Sequence, residues 1–139
     1  MSKLTINQEA QCVGCRQCEL ICSYKHEGIF SPWLARVRVV RQEEVVKSEA
    51  IICLHCDNPP CAAACPVDAI VKSDLTGAFY VDHLNCIGCL QCIEACPNGA
   101  MGFNNQRSIA QKCDLCGGDP ACVKACPADV IRRVVKDNV

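Results

Sequence analysis

Aromatic residues are scarce: one Trp, two Tyr and three Phe in 139 residues. An excess of either charge is missing too, since 14 basic side chains meet 15 acidic ones for a net charge of −1. Without a basic surplus the chain has no electrostatic hold on nucleic acid or on an anionic membrane. Residues 1–11 are polar, with no apolar signal core and no twin-arginine pair. No cysteine-free apolar stretch approaches the ~20 residues that cross a bilayer. The expectation is a soluble, cytoplasmic protein, in a compartment where thiols stay reduced and serve as metal ligands rather than disulfides. Also absent are a Ser–His–Asp set, a phosphate-cradling glycine loop and paired acid–base carboxylates. The chain therefore reads as non-catalytic.

Cysteine is abundant instead. Sixteen of 139 residues exceed the ~8–10% that marks a scaffold held by something other than ordinary packing. Half of the chain is apolar, but without its cysteines the share falls to about 39%. So poor a core in so short a chain needs cross-links to be stable.

The cysteines form four groups of four, an internal repeat with none left over. Cys12, Cys15, Cys18 and Cys22 are spaced C-x2-C-x2-C-x3-C, as are Cys86, Cys89, Cys92 and Cys96. Cys53, Cys56, Cys61 and Cys65 are spaced C-x2-C-x4-C-x3-C, and Cys113, Cys116, Cys122 and Cys126 C-x2-C-x5-C-x3-C. Pro66, Pro97 and Pro127 follow the fourth cysteine in three groups. A thiolate triplet at this spacing wraps one corner of a cubane, and the fourth cysteine points toward a neighbouring cluster, as in bacterial ferredoxins. Four such runs call for four [4Fe-4S] clusters. Zinc is a poorer fit, because three cysteines within seven residues crowd one tetrahedral site. Eight disulfides would need an oxidising compartment.

Between the groups the pattern is short strands and single helical turns. Residues 66–82 read as a β-hairpin turning at Asp74 and Gly77. Arg36-Val-Arg-Val-Val-Arg41 alternates at period two, residues 42–44 can turn, and Val45-Val46 can start a return strand. Residues 19–24, 62–64, 93–95 and 123–125 suit single helical turns, the last three stopped by proline.

Cys65-Pro-Val-Asp-Ala-Ile70, Cys86-Ile-Gly-Cys-Leu-Gln-Cys-Ile-Glu-Ala-Cys-Pro97 and Cys113-Asp-Leu-Cys116 resemble four-cluster ferredoxin-type electron-transfer subunits of larger oxidoreductases. Residues 12–23, with His26-Glu-Gly and Ser31-Pro32, are similar to the compact branch serving tungsten aldehyde oxidoreductases, benzoyl-CoA reductases and carbon monoxide dehydrogenases. The resemblance implies an α+β fold of two bacterial-ferredoxin-like modules related by a pseudo-twofold, with short helices and β-hairpins around four clusters. Residues 1–139 would form one polyferredoxin unit, with an inner module of residues 50–104 and an outer one of residues 1–49 plus 105–139. It also implies crossed ligand sets: Cys12, Cys15, Cys18 and Cys126; Cys113, Cys116, Cys122 and Cys22; Cys53, Cys56, Cys61 and Cys96; Cys86, Cys89, Cys92 and Cys65. Ser23 stands where a simple ferredoxin run has proline, and the resembled subunits also tend to lack proline there.

The expected role is a single-electron relay. Its catalytic partner would be a tungsten- or molybdenum-pterin aldehyde oxidoreductase, with a flavin protein, a ferredoxin or further copies of itself as other contacts. A carbon monoxide dehydrogenase or hydrogenase partner, or a free soluble polyferredoxin, is the alternative. A cluster acting as Lewis acid would need an open iron, and the sixteen cysteines fill every site.

Several other residues stand out. His55, between Cys53 and Cys56, reads as a neighbour of the cluster or a surface residue rather than a ligand. His26 reads as a loop-ordering hydrogen bond. Arg16, Lys112 and Lys124 lie beside ligands and either offset cluster charge or are simply solvated. Trp33 and Phe30 either anchor a partner or cover the outer module. Sixteen thiolates and four oxidised cores add a charge of about −8, which backbone amides must stabilise. Gly14, Gly88, Gly117 and Gly118 are the expected places of close backbone approach.

Overall fold

Proline sets helix length in this chain. The computed structural model describes residues 2–135; residue 1 and residues 136–139 of the expected outer module lie outside the described residues. Helices α2 (Pro60–Ala64), α3 (Gln91–Ala95) and α4 (Ala121–Ala125) are five residues each. Cys65, Cys96 and Cys126 end them at ψ of 116°, 114° and 111°, the extended geometry that a following proline imposes.

The single turn expected at residues 19–24 is corrected: α1 (Gln17–Glu27) has eleven residues. Ser23 has the backbone N–H that proline lacks, and its hydroxyl donates to the Leu20 carbonyl at 2.9 Å. Gly28, at φ 73°, closes the helix with its N–H on the Tyr24 carbonyl, the left-handed cap that glycine takes without strain.

Among the described residues, eight strands pair into four separate antiparallel ribbons. They are β1 (Ser2–Ile6) with β8 (Ile131–Val135), β2 (Arg38–Gln42) with β3 (Lys47–Ile51), β4 (Ile70–Lys72) with β5 (Phe79–Val81), and β6 (Gly102–Asn104) with β7 (Ile109–Gln111). The hairpin expected at residues 66–82 is β4–β5. The return strand expected from Val45 begins at Lys47 instead. Gln42 pairs with Lys47, and Val46 at φ 50° belongs to the turn, a strained position for a β-branched residue.

Two pairings had no counterpart in the sequence reading. β1–β8 joins the two ends of the described chain, Leu4 opposite Arg133 and Ile6 opposite Ile131. In β6–β7 the Asn104 side chain accepts the N–H groups of Gln106 and Arg107 and shapes the turn.

The helices pack in pairs, α1 on α4 and α2 on α3. Two buried cores follow. One gathers Leu4, Val37, Val39, Ile52, Leu115 and Ile131 around Cys18, Cys22 and Cys122. The other gathers Ile70, Val81, Met101 and Ala110 around Cys61 and Cys92. Polar ties join the two halves. Glu27 of α1 pairs with Arg107 at 2.9 Å, and the Gln111 amide donates to the Trp33 carbonyl at 3.1 Å. Arg38 hydrogen-bonds the Gly99 carbonyl. Among the described residues, no helix is long and apolar enough to cross a membrane.

Candidate metal centres

Each cysteine group is bent the same way. The residue before its second cysteine has positive φ in every case: Gly14 at 72°, His55 at 50°, Gly88 at 72° and Leu115 at 60°. A backbone turned this way brings two cysteines three apart onto one concavity. At Gly88 the conformation is also enforced by crowding, since a Cβ would lie 2.5 Å from the Ser108 carbonyl oxygen. The close approach at Gly14 and Gly88 is thus to Ser48 and Ser108, where contact with the sulfurs had been expected. His55 and Leu115 pay the strain that glycine avoids.

A second repeat follows the fourth cysteine. Asp68, Gly99 and Asp129 all have positive φ, which turns the next N–H back onto the sulfur. Ala69 N–H donates to Cys65 Sγ at 3.2 Å, Ala100 N–H to Cys96 Sγ at 3.4 Å, and Val130 N–H to Cys126 Sγ at 3.3 Å. In the first group the helix runs on, so Arg36 N–H supplies the bond to Cys22 Sγ from a distant loop at 3.2 Å. Cys86 Sγ likewise accepts Ala110 N–H at 3.4 Å. Such donors stabilise a thiolate and spread its charge.

Thiols from different groups share cavities. One cavity is lined by Cys65, Cys86, Cys89 and Cys92, another by Cys53, Cys56, Cys61 and Cys96. A third has Cys22, Cys113, Cys116 and Cys122, with Cys53 on its edge. Cys12 and Cys126 are the thiols whose charges bear on Cys18.

The donor set fits iron–sulfur clusters. Burial pushes the Cys18 and Cys122 thiols up to about 12 and Cys92 to about 11, so as bare thiols these groups would stay protonated. Metal cations at the same places would make them thiolates. Both ring nitrogens of buried His55 lack a hydrogen-bond partner among the described residues, and burial, with the charges of Lys112 and Lys3, depresses its pKa to about 3. A neutral imidazole without a protein partner suits a wall facing sulfide acceptors. His55 is therefore buried, not on the surface.

His26 does more than order a loop. Its Nε2 lies 2.8 Å from Asp114 Oδ1 and its Nδ1 2.8 Å from the Cys22 carbonyl, so it ties the first cysteine group to the fourth. Burial opposes its charge, but Asp114 and Cys22 outweigh it and raise its pKa to about 10. Burial would also raise the Cys22 thiol; bonds from His26 and Arg36 N–H bring it below the ordinary value.

Arg16 pairs with Glu19 and Lys124 with Asp119, both bases half or more exposed. Lys112 differs: it is 5% exposed, with Nζ 3.2 Å from Cys53 Sγ. The sequence reading missed Glu19, which is 3% exposed and accepts Val39 N–H at 2.6 Å. It lay within the helical turn expected at residues 19–24, but an acidic residue in a first helical turn reads as solvated, and its partner Val39 is twenty residues away. Trp33 is 86% exposed, so it covers nothing in the outer core.

Repeated cysteine concavities, N–H to sulfur bonds and shared thiol cavities define an iron–sulfur protein of the ferredoxin type. The chain belongs to the family of the 4Fe-4S dicluster domain, whose model matches residues 45–136; a 4Fe-4S binding domain matches residues 9–25. YsaA of Escherichia coli is 38% identical over 151 residues, spanning 100% of this chain and 94% of its own. The polyferredoxin-like subunit of an aliphatic sulfonate oxidoreductase of Pyrococcus furiosus is 39% identical, over 84% of this chain and 66% of its own. In two other relatives from Escherichia coli the match takes up only 21% and 22% of their length. A chain of the solved active-site complex BamBC of benzoyl coenzyme A reductase is 25% identical with a TM-score of 0.56, covering 96% of this chain and 79% of that one. The chain is a non-catalytic electron-transfer protein built for four [4Fe-4S] clusters.

Proposed function

We propose that the chain is a one-electron relay that serves a catalytic oxidoreductase subunit of the tungsten- or molybdenum-pterin aldehyde oxidoreductase type. The clusters supply the redox chemistry when bound. The chain's own residues hold them in series and tune their surroundings. In this reading Cys12, Cys15, Cys18 and Cys126 hold one cluster, and Cys113, Cys116, Cys122 and Cys22 a second. Cys53, Cys56, Cys61 and Cys96 hold a third, and Cys86, Cys89, Cys92 and Cys65 a fourth. The shared cavities and the neighbours of Cys18 support this allocation. An expected division at 49/50 and 104/105 would cut β3 and the β6–β7 hairpin, so we draw the inner module as residues 52–111 and the outer as the remainder. Sixteen reduced thiols suit the cytoplasm.

The observation that carries the relay is continuity. Cys53 walls two of the thiol cavities, one from each proposed module. The amide donors to Cys22, Cys65, Cys86, Cys96 and Cys126 would stabilise the added negative charge on the bound clusters.

Two aromatic residues meet at the end of α1, and Trp33 follows in the next short turn. Tyr24 and Phe30 stack at 4.7 Å, and Phe30 and Trp33 are 65% and 86% exposed. Exposed aromatics beside the Cys22 site suit a docking face for the catalytic subunit. Isolation of the native complex without oxygen, with mass spectrometry of its subunits and tungsten and molybdenum analysis, should find such a partner in stoichiometric amount. Replacing Trp33 and Phe30 by Ala should cut its recovery about tenfold or more with iron content unchanged. A chain isolated alone, or one bound to a nickel enzyme, would overturn the partner reading.

A further inference from the structure

Lys112 is a buried lysine with no carboxylate paired to it among the described residues. It sits between β7 and Cys113, is 5% exposed, and makes two polar contacts among the described residues: Nζ to Cys53 Sγ at 3.2 Å and to the Cys113 carbonyl at 3.3 Å. An ammonium withdrawn from water is costly unless an opposite charge meets it. The group that meets Lys112 is the Cys53 sulfur, which would be a thiolate ligand once a cluster is bound. Its influence extends to Cys61 and His55 of the same site. It lines the cavity of Cys53, Cys56, Cys61 and Cys96, while Cys53 also edges the cavity of Cys22, Cys113, Cys116 and Cys122. The ammonium therefore stands at the junction of two sites, bonded to the sulfur that borders both.

We propose that Lys112 sets the reduction potential of the cluster held by Cys53, making it the electron-accepting side of the junction between the modules. Reduction would add one electron to that cluster, taken from its neighbour, with no bond made or broken. A fixed positive charge on a ligand sulfur favours the more negative, reduced state. Arg16 and Lys124 cannot do this, because they are solvated and paired with carboxylates.

The inference rests on the relay reading only in its meaning for flow. Cys53 is a ligand of the same cluster whether the fourth cysteines cross between groups or not, so failure of the crossed pairing leaves it standing. Lys112→Met keeps the length of the side chain and removes its charge; Lys112→Arg keeps the charge. Redox titration of the loaded protein, followed by electron paramagnetic resonance, should show one of the four clusters becoming harder to reduce in Lys112→Met. The expected change is about tenfold in its reduction equilibrium, or about 59 mV for one electron. The other three should stay in place, and Lys112→Arg should keep most of the original potential.

A second measurement needs no neutral variant. Protein grown with 15N at the lysine side chains should show nitrogen hyperfine coupling to one reduced cluster, and Lys112→Arg should abolish it. Unchanged potentials in a fully loaded Lys112→Met protein would overturn the proposal. Should that variant fail to load, absence of the lysine coupling in the unmutated protein would overturn it equally.

Discussion

Removing iron from the protein should abolish its fold, not merely its colour. The physical reason lies in what remains when the clusters go. Around Cys61 and Cys92 the inner core has only Ile70, Val81, Met101 and Ala110 as other buried members. All four sheets are two-stranded, and an isolated ribbon of that kind is marginal at best in water. Three of the four helices have five residues, far too short to persist alone. Cluster binding is therefore folding free energy, as it is for small metal domains generally. Anaerobic chelation followed by circular dichroism and thermal melting should find loss of near-ultraviolet signal and of any cooperative transition. An apo-protein that still melts cooperatively would contradict this account.

Cys22→Ser should remove about four iron per chain, and the place of the loss is the informative part. Cys22 shares a cavity with Cys113, Cys116 and Cys122, and its charge is the one that bears most on Cys122 after burial. The variant should therefore lose hydrogen-exchange protection around residues 113–122, more than ninety positions away in sequence. Residues 128–135 should loosen more than the hairpin at residues 69–81, because the tie between α1 and α4 is cut; residues 136–139 lie outside the described residues. Loss confined to residues 12–18, with the fourth group intact, would mean that each group keeps its own four ligands. The crossed allocation and the module division would then fall together.

The fold class came from the family resemblance, whereas the spacing of the cysteines made the cluster content legible, because ligand spacing is a local property of the chain. The proline-stopped turns and the β4–β5 hairpin were legible for the same reason. The pairing of β1 with β8 was not: the partners lie at opposite ends, and nothing near Leu4 names Ile131 as its neighbour. The length of α1 turned on one substitution, Ser23 for proline, whose consequence extends to Gly28. Burial of His55 and Lys112 was hidden because polar residues read as solvated until the chain is folded around them. Their sequence positions beside ligands were signal enough to select them, but not to decide what they do.

Metal analysis tests the central claim most directly. Protein prepared without oxygen should contain about sixteen iron and sixteen acid-labile sulfide per chain, four for each cubane. About eight iron, or stoichiometric zinc in its place, would contradict the reading of this chain as a four-cluster relay.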